Sequence, residues 1–420
     1  MSQTLNKPNT MEDVLIRSAE ILDSDSPHFK KRRDVLIQNG VIASIAESIE
    51  AKSVRVIEGK NLCISKGWID LRANFRTPGD EHKETIESGL LAARAGGFRH
   101  VVLMPSTNPV IDQSSLLSFF HSKQSLGVHL HVAAALSHGL EGKQLSEMFD
   151  LHRAGAVAFT DDKKPVRMEL LAKALEYSKV FGGLVMTFPF YSELRPGGIM
   201  HEGSVNVTLG LKGIPSEAEE MALRRDIDLL RYCGGRMHVS LISTSGSVKL
   251  IKEAKKEGLA ITCGVAAHQL YYTEEALTTF DSQYKVLPPY RSEADRKALR
   301  KGVAEGIIDA VCSDHTPEDI EQTEREFEYA SFGNSSIQNA FHQAYESMRF
   351  LMTPEKLVER FTAGPEQVLG ITRKPIAEGN PADITVFSLE ESTTFNEEQW
   401  HSLSKNNPWI GKTLSGRIYF

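Results

Sequence analysis

The stretch Gly67–Met104, GWIDLRANFRTPGDEHKETIESGLLAARAGGFRHVVLM, decides the fold. It opens on an apolar run, Trp68–Leu71. An amphipathic helical segment, Lys83–Ala95, follows, and a second apolar run, His100–Met104, closes the unit. The apolar runs are nearly uniform rather than alternating, as expected of parallel strands covered on both faces. The same unit recurs downstream. Further runs lie at His129–Leu136, Ala156–Thr160, Gly183–Phe188, Met237–Ile242, Ala260–Val265 and Ile308–Cys312, which makes eight. Helical segments such as Met168–Val180, Ser216–Tyr232 and Ser247–Glu257 separate them. Strand–helix alternation repeated in this way predicts an α/β fold, a (β/α)8 TIM barrel.

The flanks read differently. Asp34–Gln38, the hairpin signal Asn39-Gly40 and Val41–Ala46 form a β-hairpin pattern, and Ser53–Ile57 is another short β-run. Beyond the last barrel run come a charged surface loop, Glu321–Tyr329, and helices at Ser336–Phe350 and Thr353–Phe361. Gly379–Asp383 then leads into a strand, Ile384–Phe387. Residues 1–65 and 375–420 are expected to join in one small β-sandwich domain, with the barrel, 66–374, inserted between them. The 420 residues carry a net charge of −7, and no run of Lys/Arg suggests a nucleic-acid surface. The longest apolar stretches, such as Val128–Leu136, are too short to span a bilayer, and Met1–Met11 lacks the apolar core of a signal peptide. The cysteines, Cys63, Cys233, Cys263 and Cys312, form no CxxC, so a reducing cytoplasm is expected.

The segment Ile69–Thr85 resembles the opening of dihydroorotases, in the amidohydrolase superfamily. So do AGGFRHVVLMPSTNPVID (Ala95–Asp112), GAVAFTDD (Gly155–Asp162), LGLKGIPSEAE (Leu209–Glu219), STSGSVKLIKEAKKEG (Ser243–Gly258), YKVLPPYR (Tyr284–Arg291), IDAVCSDHTP (Ile308–Pro317) and the terminal EGNPADITVF. The resemblance covers nearly the whole chain in the family's order. It implies an amidohydrolase-type barrel that opens or closes a cyclic amide in pyrimidine synthesis, with one or two divalent metals at the C-terminal mouth. The expected ligands are an HxH pair, a strand-4 carboxylate or modified lysine, two further histidines and a strand-8 aspartate acting as general base. Two histidines at i and i+2 of a strand share one face and can reach one ion.

This chain departs from that pattern. Arg72 and Asn74 stand at the HxH positions, and Phe188 and Leu241 at the other histidine positions; Asp162 and Asp314 remain. Arginine has no lone pair to donate, and neither has Phe or Leu. Two carboxylates could hold a hydrated magnesium loosely, but not the usual zinc site. At the positions the family uses for the substrate carboxylate, Arg76 is kept, while Ser106, Leu287 and Glu318 are substituted. A glutamate there repels an incoming carboxylate.

Each surviving feature also has a plain structural reading. Asp162 and Asp314 can serve in ion pairs, Asp314 as the relic of the general base, and Asp161 can support backbone. Arg76 either binds an anion or makes a structural pair. The HxH at His129–His131 starts its strand and should face away from the mouth, and His238 points to the face opposite Leu241. His268 and His315 are read as local hydrogen-bonding residues, Thr244 and its neighbours as a helix cap, and Arg195–Gly198 as a turn. Three functions stay open. The first is a catalytically defective dihydroorotase homologue with a structural or regulatory role. Here the resemblance offers aspartate transcarbamoylase as a partner, because some bacteria pair that enzyme with an inactive dihydroorotase-like chain. The second is an active cyclic amidohydrolase with an altered metal site, zinc being its cofactor. The third is a small-molecule sensor using Arg76. A homo-oligomer is expected in each, and no metal in the first. Arg72, ending strand 1 beside strand 8, is expected to reach Asp314 and Asp162 and neutralise them.

Overall fold

The computed structural model describes residues 13–123 and 126–419; the signal-peptide reading of Met1–Met11 lies outside them. Strands β1 (Val14–Ile21), β2 (Arg32–Gln38), β3 (Val41–Ala46), β4 (Arg55–Ile57) and β5 (Leu62–Lys66) precede the barrel. The barrel strands are β6 (Trp68–Ala73), β7 (Phe98–Leu103), β8 (His129–Ala135), β9 (Ala156–Thr160) and β10 (Leu184–Thr187). A two-stranded excursion, β11 (Met200–His201) and β12 (Gly213–Ile214), comes next. The barrel resumes with β13 (Arg236–Val239), β14 (Ile261–Ala266) and β15 (Ala310–Cys312), and the chain ends with β16 (Ile384–Thr394) and β17 (Thr413–Ile418).

The eight barrel strands follow one another in the parallel order β6-β7-β8-β9-β10-β13-β14-β15. A parallel bridge from Ala73 to His315 and the bond from Asn74 N–H to the His315 carbonyl, 2.8 Å, bring the last strand beside the first. Every one of the eight apolar runs is a strand, because each buries both faces. Ile69, Leu71, Val102, Met104, Ala133, Ala158, Leu184 and Met186 fill the interior, and residues such as Val101, Leu130 and Val239 pack outward on the helices. Helix boundaries shift by a few residues. The helix expected from Lys83 starts at Ile86, after Thr85 caps it by accepting from Ser88 N–H. At Gly97 φ is +84°, and a Cβ there would meet the Trp68 ring at 2.6 Å, so the turn into β7 needs glycine.

The two termini meet as expected, with β16 antiparallel to β5 and β1 pairing with β2, β4 and β5. The expected sandwich is seen as one seven-stranded ladder, β17-β16-β5-β1-β2-β3 with β4 alongside β1. The reason is that β16 runs on to Thr394, well past Phe387, and pairs with both β5 and β17. Glu321–Tyr329 contains part of a short helix, Ile320–Thr323, at its start. Trp68 stacks on Phe341 at 3.9 Å between centroids, with Phe361 and Phe387 around it, and so ties the barrel to the terminal sheet. Among the described residues no helix is long and apolar enough to cross a membrane.

Candidate active site

Arg72, near the end of β6, is 1% exposed at the barrel mouth. Its Nε donates to Asp314 Oδ1 at 2.8 Å, Nη2 donates to Asp162 Oδ1, and Nη1 lies 3.3 Å from the Met104 sulfur. Asp162 and Asp314 follow β9 and β15 and have φ of +57° and +52°. Aspartate tolerates this left-handed backbone better than most residues, and here it accompanies both carboxylates of the mouth. Each second oxygen is also taken. Lys163 Nζ donates to Asp314 Oδ2 at 3.0 Å, and Ser106 Oγ donates to Asp162 Oδ2. Ser106 Oγ also stands 3.0 Å from the side-chain oxygen position of Asn74. A hydroxyl has one proton, so Asn74 fits best with its amide N–H turned toward Ser106.

Burial alone raises a carboxyl pKa. For Asp314, Lys163, His268 and Arg72 outweigh it and hold the group well below the usual range; for Asp162, Arg72, Ser106 and Lys163 do the same. Lys163 is shifted down, first by burial and then by Arg72, with Asp314 opposing. Asp70, on β6, goes the other way. Burial pushes it up to about 7, although it accepts from Ser313 N–H and Oγ–H.

The expected reach of Arg72 to both aspartates is met. Phe188 and Leu241 pack with Ala266 and Cys312, and Phe190 and Leu287 lie against them, an apolar plug beside the ion pairs. Arg76 makes a structural pair: Nη2 donates to Glu318 Oε1 at 2.6 Å. Asp161 supports backbone as read, accepting from Ser137 N–H at 2.8 Å. His315 bonds Glu84 at 3.2 Å, and Thr244 caps its helix by accepting from Ser247 N–H. His268 departs from its reading. Its Nε2 is 3.8 Å from Asp314, an ion-pair distance beyond hydrogen-bond reach, and its ring sits edge-on to Tyr290. His131 points to the barrel floor, where its Nε2 meets His100 Nδ1 at 3.0 Å. Lys163 and Lys83 escaped the sequence reading. Lys163 directly follows Asp162 in TDDKK, and that adjacency was the available signal.

Zinc needs three or four N, S or O donors. The two ionised carboxylates of the mouth are held by cations, and guanidinium and ammonium have no lone pair to offer. Among the described residues, no group of three or more His, Cys, Asp or Glu stands close enough to hold a metal. The donor set does not fit a zinc centre.

Residues 61–247 match a family model described as dihydro-orotase-like. A dihydroorotase of Syntrophus aciditrophicus is 35% identical over 411 residues, 96% of each chain. One of Pelotomaculum thermopropionicum is 36% identical over 96% of this chain and 95% of its own. The chain belongs to the dihydroorotase family. Solved structures extend the likeness of fold beyond dihydroorotases. An L-hydantoinase (dihydropyrimidinase) from Arthrobacter aurescens superposes with a TM-score of 0.82 at 21% identity, covering 97% of this chain and 94% of its own. A dihydropyrimidinase from Brevibacillus agri gives 0.80 at 21%, over 97% and 92%. The barrel thus shares the fold of these hydantoinase and dihydropyrimidinase structures.

Proposed function

We propose that this dihydroorotase-family chain is a catalytically silent homologue with a structural or regulatory role. One observation carries the reading: Arg72 spans Asp162 and Asp314, and Lys163 takes the remaining oxygen of Asp314. Two carboxylates a few ångströms apart repel by several kcal/mol at intermediate dielectric unless a cation lies between them. Here that cation is covalently part of the chain. In this arrangement Asp314 is a hydrogen-bond acceptor for two fixed cations, and its low pKa leaves it a poor general base. Among the described residues, Arg72, Phe188 and Leu241 stand at former ligand positions and offer no lone pair to a metal that would activate a water or polarise an amide carbonyl. Aspartate transcarbamoylase remains the partner suggested by the resemblance. Co-purification of the two proteins from the native host, with gel filtration to size the complex and any homo-oligomer, tests it.

The reaction itself is tested by assaying purified protein for interconversion of carbamoyl aspartate and dihydroorotate with zinc supplied, alongside elemental analysis. The expected result is no turnover above background and no stoichiometric zinc. The names of relatives 35–37% identical over nearly the full chain favour a second reading, an active dihydroorotase with an altered metal site built on Asp162 and Asp314. Turnover that disappears in Asp314→Asn would establish that second reading and overturn the first.

A further inference from the structure

We infer that the loop 318–332 is a self-association surface, and that it docks on the lysine-bearing flank of a second copy of this chain. This holds whether or not the mouth is catalytically silent. The loop exposes Glu321, Glu324, Glu326 and Glu328 within eight residues, with Arg325 as the one cation among them. None of the four glutamates makes an ion pair among the described residues. At the two ends of this run Ile320 and Tyr329 are 63% and 69% exposed. Large apolar anchors beside a charged rim have the composition of a protein interface.

A run of unpaired like charges repels itself and favours a loose chain. Here the backbone is fixed from beneath. Lys285, buried between the rings of Phe327 and Phe332, donates to the Phe327 and Glu328 carbonyls at 2.6 and 3.0 Å. Ser282 Oγ donates to the Thr323 carbonyl at 2.5 Å, and Ser331 N–H to the Gln322 carbonyl at 2.9 Å. Phe327 packs with Leu277, Val286 and Tyr290. The glutamates are thus presented on a formed surface, which lowers the ordering cost of docking.

The complementary charge lies in the neighbouring sectors of the barrel. The helices Ser245–Lys256 and Glu293–Ala304 follow β13 and β14, and the loop follows β15. Lys249, Lys252 and Lys256 recur at i, i+3 and i+7 on the first helix, and Lys297 and Lys301 at i and i+4 on the second, all five exposed. Glu253 and Glu257 lie on the other side of the first helix, along its groove with the helix Glu217–Cys233. On the lysine face, Glu305 lies 3.3 Å from Lys252 and 3.6 Å from Lys301, and Glu293 lies 3.8 Å from Lys297. Lys249 and Lys256 make no ion pair among the described residues. Ala294 and Ala298 share the face of Lys297 and Lys301 and present no bulk to Ile320 or Tyr329. Because the loop and the flank occupy neighbouring sectors, a two-fold rotation sets each loop on the other copy's flank, and both contacts form together. The net charge of −7 opposes random contact between copies, so the local complementarity also fixes their orientation.

The test is sedimentation equilibrium of the full chain and of charge-reversed variants. Wild type should run at twice the chain mass. Glu321→Lys/Glu324→Lys/Glu328→Lys and Lys249→Glu/Lys256→Glu/Lys297→Glu should each run as monomers and melt as wild type does, since all six positions are exposed. An equimolar mixture of the two should recover the dimer, because each loop then meets a flank of opposite sign. Tyr329→Ser, which changes no charge, should raise the dimer Kd by about tenfold. Should a triple variant fail to accumulate, Glu324→Lys and Lys256→Glu carry the same mixing comparison through their Kd values. A monomeric wild type, variants that stay dimeric, or a mixture that stays monomeric overturns the inference. Dihydroorotase turnover by wild type would overturn the proposed function and leave these masses unchanged, so the two failures are distinguishable.

Discussion

Arg72 is the residue on which the charge balance of the mouth depends. Its planar fork serves both Asp162 and Asp314, and these two cannot share a small buried volume as unpaired anions. Arg72→His removes the fork and leaves a weaker, neutral partner near pH 7. The expected cost is about 3–5 kcal/mol, the range for breaking a buried pair, read as a clearly earlier melting transition. Unchanged melting would show that the aspartates are satisfied without Arg72. Lys163 contributes less, since its side chain is 19% exposed and it covers one oxygen only. Lys163→Ala should therefore melt between wild type and Arg72→His. A loss equal to that of Arg72→His would mean that the two cations act as one unit.

At the scale of elements, the barrel floor carries a second polar network, built where β7 and β8 begin. His100 Nδ1 meets His131 Nε2 at 3.0 Å, His100 Nε2 meets Asp383 Oδ2 at 2.9 Å, and Arg373 Nη1 donates to the same Asp383 oxygen at 2.9 Å. Asp383 immediately precedes β16, so this network ties the barrel to the terminal sheet. Burial, with His100 and His129 adding, pushes His131 down to about 4 from 6.5. The unfolded chain therefore binds a proton on this residue before the folded one does. The stability concerned is complete above about pH 6.5 and is lost as pH falls toward 4, by about 3 kcal/mol if the whole difference is expressed. Melting temperature should fall between pH 7 and 4.5, and His131→Gln should flatten that slope. A slope would remain in the variant, because burial also lowers His201, His238 and His342. An identical slope in wild type and variant would remove His131 from the account.

For the whole molecule, closure comes from the chain itself. The tail segment 402–407 lies across the loops of the mouth. Ser402 Oγ and Leu403 N–H donate to Glu84, Ser404 Oγ to the Lys83 carbonyl, and Asn407 to Asn334 and the Ser335 carbonyl. On the proposed reading, the mouth aspartates are paired internally and zinc gains no site in the folded state through which to stabilise it. Melting should be the same after exhaustive chelation, as purified, and with added zinc. A zinc-dependent rise of several degrees that is lost in Asp162→Asn would point to a metal site and against the ion-pair reading.

The strand runs, and with them the eight-stranded parallel order and the union of the two termini, were legible because burial on two faces imposes a composition that survives without knowledge of the neighbours. Arg72 at the end of strand 1 was legible too, since strand order alone places it beside the end of strand 8. The ion pairs of Glu318 were less so. The resemblance set Glu318 near Arg76, but Lys83 reaches Glu318 from another loop, and loop paths depend on packing against the tail, which no local pattern encodes. Lys163 was hidden for a related reason. The sequence places it next to Asp162, but only the left-handed backbone after β9 turns its ammonium toward Asp314. The histidines at 129 and 131 were assigned to the floor by their position in the strand. The bond of His131 to His100, and through it to Asp383, required residues more than 200 positions apart to fold together. Local composition thus determined which segments are strands and where they lie in the barrel. Which charges neutralise one another was decided by long-range packing, because an ion pair depends on distance in space and not on separation along the chain.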